Sequence, residues 1–236
     1  MTTSPIRRAF WKGVRDGLPF LIVIIPFGML FGVVAREAGW DITAILAAAG
    51  LVIAGASQFT ALQLLNEGAP TLVVLATALA VNLRLALYSA SLAPHLGTLP
   101  LWKRATVAFL LTDQTFGASL RGFETRPGMR PAERFAFYMG VALPVCGPWV
   151  LATWAGAVAG RAIPDWLALD FAVPITFIAL VAPALRDLAQ VAAAVTAVVA
   201  ALALAGLPYS SGLLVAALLG MGAGALVEAR RAGSQP

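Results

Sequence analysis

Charge is what this chain has least of. Only 11% of its 236 residues are Asp, Glu, Lys or Arg, against 60% hydrophobic, whereas a soluble domain carries about 25% charged residues. So apolar a chain could not cover a soluble fold of this size with a wetted surface. Cysteine is nearly missing too. Cys146 stands alone, which excludes an intramolecular disulfide and any cysteine-rich metal site; lying inside an apolar run, it reads as a small packed residue. A single histidine, His95, leaves no histidine and cysteine cluster for a metal enzyme. No catalytic residue, metal or cofactor is predicted. Also absent are polar connectors long enough to hold a separate soluble domain. What is there instead is a series of apolar runs, each of about 20 residues and each able as a helix to cross about 30 Å of hydrocarbon.

The formal charge of +5 and pI near 10.1 could suggest nucleic acid. The basic residues, however, sit at the ends of apolar runs, and membrane orientation explains that placement better than nucleic-acid binding. Arg7, Arg8, Lys12 and Arg15 precede a run beginning at Leu18. That run continues to Ala35 without a clear small-x-small cleavage site, so it reads as a retained first span. Apolar spans are predicted near 18–35, 42–65, 70–93, 104–122, 135–158, 165–183, 187–206 and 209–227. Eight spans with a cytoplasmic N-terminus place Arg121, Arg126, Arg130, Arg134, Arg186, Arg230 and Arg231 inside with the N-terminal cluster. Arg36, Lys103, Arg104 and Arg161 then fall outside. Positive charge belongs inside, so eight spans are preferred, with seven spans plus a re-entrant segment as the alternative. The predicted class is an all-α polytopic transmembrane bundle of 7–8 spans, residues 1–236 forming one transmembrane domain.

Lipid offers no hydrogen-bond partners, so the residues that interrupt apolar runs must face protein or water. In the first span they are Pro26, Phe27 and Gly28, followed by Gly32, which read either as a broken helix or as a kink with a glycine packing face. In the second, Ser57, Gln58 and Phe59 follow Gly55 and Ala56; they suit an unwound segment that orients a polar ligand, or interhelical polar glue. In the third, Asn82 and Arg84 precede Tyr88, and the run ends at Pro94-His95. An arginine about a dozen residues into a span costs about 2.5–3.5 kcal/mol on insertion scales. It can fork onto a substrate carboxylate, pair permanently with Asp113, or snorkel. Asp113, within Leu111-Thr112-Asp113-Gln114-Thr115-Phe116, is the carboxylate placed deepest, and a carboxylate so placed can exchange a proton as its surroundings change. In the second half, Pro144, Gly147, Pro148, Pro174 and Thr176 suggest further irregular helices, or simple kinks. Ala54–Leu62 aligns faintly with Ala172–Leu180 as an internal repeat, a feature common in secondary transporters.

An enzyme reading is weak. Gly55-Ala56-Ser57 with His95 is superficially similar to the nucleophile and base of rhomboid intramembrane proteases, but Gln58 stands where that family has a small residue.

The interruptions taken together carry a closer resemblance. Gly17-Leu18-Pro19-Phe20, Pro26-Phe27-Gly28, Gly55 to Phe59, Asn82-Leu83-Arg84 with Tyr88, Ser91 to His95, and Leu111-Thr112-Asp113 occur in one order. That series resembles the AzlC family, the large subunit of bacterial branched-chain amino-acid exporters. It is dense over residues 13–150 and diffuse beyond, where Asp170-Phe171-Ala172 is its main trace. Gln114 departs from the pattern, standing where the family often has an acidic residue. The resemblance implies export of small hydrophobic amino acids across the bacterial cytoplasmic membrane, driven by proton gradient or membrane potential, with a small AzlD-type membrane partner. On that reading the substrate-binding residues are Pro26, Phe27, Gly28, Ser57, Gln58, Phe59, Asn82, Arg84 and Tyr88. Asp113 couples the proton, and Phe27, Phe59 and Phe116 line the apolar pocket. A non-transporting assembly subunit is the other class of function that fits.

Overall fold

A computed structural model of the chain describes residues 4–159, 185, 187–207 and 211–232. The span expected at 165–183, Arg161, Arg186, Pro174 with Thr176, and the second copy of the suggested repeat lie outside them. The described residues are helical, without a strand: α1 (Pro5–Gly17), α2 (Leu21–Glu37), α3 (Ile42–Leu51), α4 (Gly55–Asn66), α5 (Thr71–Leu96), α6 (Leu101–Phe109), α7 (Asp113–Glu124), α8 (Pro131–Ala159), α9 (Leu188–Ala203) and α10 (Ser211–Ala232). Two compact units result, residues 1–62 with 78–167, and residues 63–77 with 168–236.

The frame of the first unit is a glycine seam. Ser4 caps α1 by accepting from the Arg7 N–H at 3.3 Å, and a 3₁₀ turn at Leu18–Phe20 passes the chain into α2. Residues 5–37 thus make a 33-residue helical run. Of the two readings of Pro26-Phe27-Gly28, the broken helix does not occur, because Pro26 sits inside an uninterrupted α2, while the glycine packing face does. Pro144 and Pro148 likewise lie within a continuous α8. The two long runs lie parallel. Gly13 meets the Phe137 carbonyl, Gly17 meets Val141 and Pro144, Gly28 meets Trp149 and Ala152, and Gly32 meets Thr153 and Ala157. The contact is reciprocal, since Gly140 abuts the Phe10 carbonyl and Gly156 the Met29 carbonyl. Small residues let helix backbones touch where no water is available to drive association.

The remaining helices of this unit disclose the main correction to the sequence reading. The apolar runs at 42–65 and 104–122 are each two short helices around a break, at residues 52–54 and 110–112. Each half measures about 14–18 Å at 1.5 Å per residue, half of what a crossing needs. Contacts fix their direction. His95 near the end of α5 packs on Phe123 near the end of α7 at 5.2 Å, and Tyr88 stacks on Phe116 at 4.2 Å, so α5 and α7 run side by side in the same sense. Trp102 meets Phe135 and Tyr138 donates to the Val107 carbonyl, so α6 starts level with the start of α8 and climbs alongside it. The α6–α7 segment therefore enters and leaves by the face that carries the N-terminus. On the other side, Phe59 of α4 packs on Phe27 and Phe31 of α2, so α4 heads from the break at 52–54 back toward the face where α2 ends and α3 begins.

Charge placement follows. Lys103 and Arg104, expected on the side opposite Arg121, Arg126, Arg130 and Arg134, share a face with them; the Lys103 Nζ lies 5.0 Å from the Phe135 ring. Arg36, which donates to the Trp40 carbonyl at 2.7 Å, is the cation of this unit at the opposite face among the described residues. At that same turn Asp41 caps α3 by accepting from the Ala44 N–H at 2.6 Å, which holds its carboxyl below the usual carboxylate range.

The second unit contains a helical hairpin. Asp187 and Gln190 form a reciprocal capping box at the start of α9. Gly212, Gly220 and Gly224 of α10 pack on Leu204, Ala197 and Ala193. By length and composition, three stretches are long and apolar enough to cross a membrane among the described residues: 5–37, α5 and α8.

Two measurements check this frame. Gly156→Ala places a methyl against the Met29 backbone and is expected to cost about 1–3 kcal/mol by overpacking. Gly147→Ala on the same helix meets nothing within 4 Å and is expected to be neutral or stabilising in the same thermal melt. In a Cys146→Ser background in sealed vesicles, single cysteines replacing Arg8, Lys103 and Arg130 are expected to react from one side, and one replacing Arg36 from the other. Lys103→Cys labelling together with Arg36→Cys would show that α6–α7 crosses.

Candidate functional site

Helix geometry places α5 between the two breaks. At 100° per residue, Arg84 and Tyr88 lie about 40° apart on one face, while Asn82 points about 160° from Arg84 and about 120° from Tyr88. The first face meets the α6–α7 break: Arg84 Nη1 is 3.1 Å from Asp113 Oδ2, and the Tyr88 hydroxyl donates to Asp113 Oδ1 at 2.8 Å. The second meets the α3–α4 break, where the Asn82 amide donates to Ser57 Oγ at 3.0 Å.

The α6–α7 tip is a capped helix start. Thr112 is extended (φ −134°, ψ 170°), and its side chain and that of Thr115 bond each other's backbone N–H in a capping box. Asp113 then occupies the first turn of α7, where a carboxylate is favoured by the positive end of the helix dipole. The last carbonyls of α6 are also answered. Tyr138 donates to Val107 at 2.9 Å, Thr115 to Leu110 at 3.1 Å, and the Cys146 thiol to Leu110 at 3.8 Å. Tyr138 was not singled out from the sequence; the usable signal was a phenol inside an apolar run, which when buried must find a partner. Cys146, read as packing, also takes part in this support. Asp113 is less enclosed than the sequence implied: the Arg84 and Asp113 side chains are 36% and 42% exposed. An ion pair open to that extent can be reached by a ligand.

At the α3–α4 tip the backbone leaves the helix at Val52 (φ −126°, ψ 89°) and resumes at Gly55. Ser57 donates to the Ala54 carbonyl at 2.9 Å. Gln58 is 6% exposed, yet neither atom of its amide has a hydrogen-bond partner, nor has Asn82 Oδ1 or Arg84 Nε. Buried polar groups are ordinarily satisfied, so this set is unspent capacity for a polar ligand or water. Phe27 and Phe59 do come together, with ring centroids 5.0 Å apart, but inside a buried aromatic cluster with Phe31 and Trp149. Phe116 instead covers Tyr88. Gly28 is taken up by packing on α8, and Pro26 is exposed on α2.

Ser57 and His95 are not partners. Asn82, which touches Ser57, and His95 are separated by 13 positions of α5, about 20 Å of helix rise, and His95 lies against Phe123. No group of three His, Cys, Asp or Glu side chains gathers among the described residues. A cavity of about 240 Å³ lies between α5 and α6, lined by Ser89, Leu92, Leu96, Arg104, Val107 and Leu111 among others. It begins beside the α6–α7 break, next along the chain from Tyr88, and reaches toward the N-terminal face at Arg104.

The chain is 31% identical over 223 residues to an uncharacterized membrane protein of Archaeoglobus fulgidus, covering 89% of this chain and 92% of that one. It is 30% identical over 180 residues to the inner membrane protein YgaZ of Escherichia coli K12, covering 74% and 72%. An uncharacterized membrane protein of Helicobacter pylori is 28% identical over 176 residues, with coverage of 72% and 75%. No solved structure matches the chain. The family model for AzlC protein matches residues 19–163, a range that holds both broken helix pairs, Arg84, Tyr88 and Asp113, and on this match the chain belongs to the AzlC family.

Proposed function

We propose that the chain is a secondary transporter that exports branched-chain and other small hydrophobic amino acids from the bacterial cytoplasm in exchange for protons. The observation that carries this reading is the Arg84–Asp113–Tyr88 cluster, an accessible ion pair at a half-helix tip within an apolar chain. Half-helix termini facing each other across a helix are how transporters present backbone dipoles and charges to a substrate at membrane depth. On this reading α1–α2, α5 and α8 cross, and α3–α4 and α6–α7 are re-entrant, so that three of the five spans expected from the sequence over residues 5–159 remain as crossings. The cation-rich N-terminal face is cytoplasmic.

The chemistry follows from charge balance. A zwitterionic amino acid can enter between Arg84 and Asp113, its carboxylate on the guanidinium and its ammonium on the Asp113 carboxylate. One ion pair becomes two, and no net charge is buried. Tyr88 holds Oδ1 of Asp113 in place during the exchange, and the apolar wall of the α5–α6 cavity receives the side chain. A proton arriving on Asp113 removes the ammonium's partner and expels the substrate. Proton and amino acid thus compete, which is the requirement for exchange: an inward proton gradient empties the site outward. A small AzlD-type membrane protein is the proposed partner.

In vesicles loaded with labelled leucine, Asp113→Asn is expected to reduce the efflux driven by an imposed proton gradient about tenfold or more, in line with about 1.5–3 kcal/mol for a charge-assisted bond. Unchanged gradient-driven efflux sinks the proton role. The assembly-subunit reading is separated by the double variant Arg84→Met/Asp113→Leu. Replacing an ion pair by apolar residues of similar size is often tolerated by the fold, so the variant is expected to insert and melt normally yet transport nothing. Transport surviving in that variant would leave the pair with a structural role only.

A further inference from the structure

We infer that the N-terminal face carries a binding site for a phosphate oxyanion, supplied by the headgroup of an anionic phospholipid. Only the placement of this face at the membrane surface is carried over from the transport reading; the site is separate from Arg84 and Asp113.

A cavity of about 430 Å³ lies between α1 and the α7–α8 turn, lined by Pro5, Arg8, Ala9, Lys12, Arg126, Met129, Glu133 and Phe137. Its position is set by the glycine seam, which locks α1 onto α8 at Gly13 and Gly140. Arg8 and Lys12 are one turn apart on α1 and so present two cations to the same space. Arg126 is built in rather than loose. Its guanidinium lies over the Phe137 ring at 5.1 Å, and its Nη2 is 3.4 Å from Asp16 Oδ2. Its Nη1 is buried and has no hydrogen-bond partner. A guanidinium held flat, with one nitrogen satisfied and another not, is pre-organised to donate to a phosphate oxygen.

The acidic groups do not cancel this. Asp16 is engaged by Arg126. Glu133 accepts from the Arg130 N–H at 2.9 Å and lies 3.8 Å from its side chain. Arg8, Lys12, Arg126 and Arg130 against Asp16 and Glu133 leave an excess of two positive charges. Met129 and Phe137 give the cavity an apolar side, and Ile6 and Trp11 of α1 are exposed, Trp being an aromatic anchor at membrane surfaces. A basic pocket with an apolar side on the cytoplasmic face of a membrane protein fits a phosphodiester that carries acyl chains. A free phosphate would use the cations and leave the apolar side idle.

The test is native mass spectrometry of the full chain in neutral detergent, titrated with dioleoylphosphatidylglycerol or dioleoylphosphatidylcholine. Phosphatidylglycerol is expected to bind in preference to phosphatidylcholine, and sn-glycerol 3-phosphate or inorganic phosphate is expected not to displace it. Arg8→Gln/Lys12→Gln, which leaves the Arg126–Asp16 pair intact, is expected to weaken phosphatidylglycerol roughly tenfold or more. Arg7→Gln/Arg121→Gln removes the same charge outside the cavity lining and is expected to have little effect. Equal binding of the two lipids, or equal weakening by the two double variants, overturns the site. Displacement by the soluble phosphates at matching concentration overturns the lipid as its source. Lipid binding is read here without transport, so either proposal can fail while the other stands.

Discussion

A helix that stops halfway through an apolar layer leaves backbone donors and acceptors that the layer cannot satisfy. Residues 5–159 meet that demand twice. At the α6–α7 tip the answers come from the tip and from α8: Thr112 and Thr115 cap the new helix, and Tyr138, Thr115 and Cys146 bond the carbonyls of Val107 and Leu110. At the α3–α4 tip they are partial, with Ser57 and Asn82 forming one bond while the Gln58 amide has no partner. The remaining organisation of the unit can be read as what holds these two tips where α5 can reach both.

The holding is done by contacts too close for any side chain. Buried residues of α3 and α7, such as Ile45 and Phe123, mark where the short paired helices are held, and those helices take their positions from a longer frame. The seam between the α1–α2 run and α8 supplies it, because glycine on one helix meets backbone on the other at both ends, Gly13 with Gly140 and Gly32 with Gly156. Packing in lipid relies on close van der Waals contact rather than on hydrophobic expulsion. The same seam sets α1 beside Arg126, so the frame that positions the tips also shapes the basic cavity at the N-terminal face.

Much of the site was legible in the sequence, and less of the fold. Arg84, Tyr88 and Asp113 stood out because a charged or phenolic group in an apolar run has to be answered by something, and the structure joins all three. Asn82 and Ser57 were legible for the same reason. The α3–α4 hairpin was not, because an apolar run of 20-odd residues has the same composition whether it crosses or folds back; for the 104–122 run a re-entrant segment stood as the alternative to a crossing. Length hid the breaks; local chemistry marked one of them. Thr112 to Thr115 reads as polar residues inside a span when only hydropathy is followed, and as a helix start when capping is followed. Val52 and Ile53 before Gly55 carry no such mark. Phe27 and Phe59 suggested a pocket wall on hydrophobicity alone, which cannot tell a lining residue from a buried one, and the glycines near Pro26 proved to serve the seam. Pro26 itself shows that one proline need not end a helix that packs along a neighbour.

The two tips differ in kind, and that difference bears on mechanism. Ser57, Gln58 and Asn82 present neutral hydrogen-bonding groups, which hold the same charge at any pH a cell meets. The other tip instead presents a carboxylate and a guanidinium, Asp113 and Arg84, with the Tyr88 hydroxyl donating to the carboxylate. On the proposed transport reading, a proton-coupled step at α5 falls to the Asp113 carboxylate, with the Arg84 guanidinium beside it at 3.1 Å. The neutral tip can orient a ligand but cannot sense a gradient. A carrier needs both functions, and placing them on opposite faces of one unbroken helix ties any shift of α5 at one tip to a shift at the other.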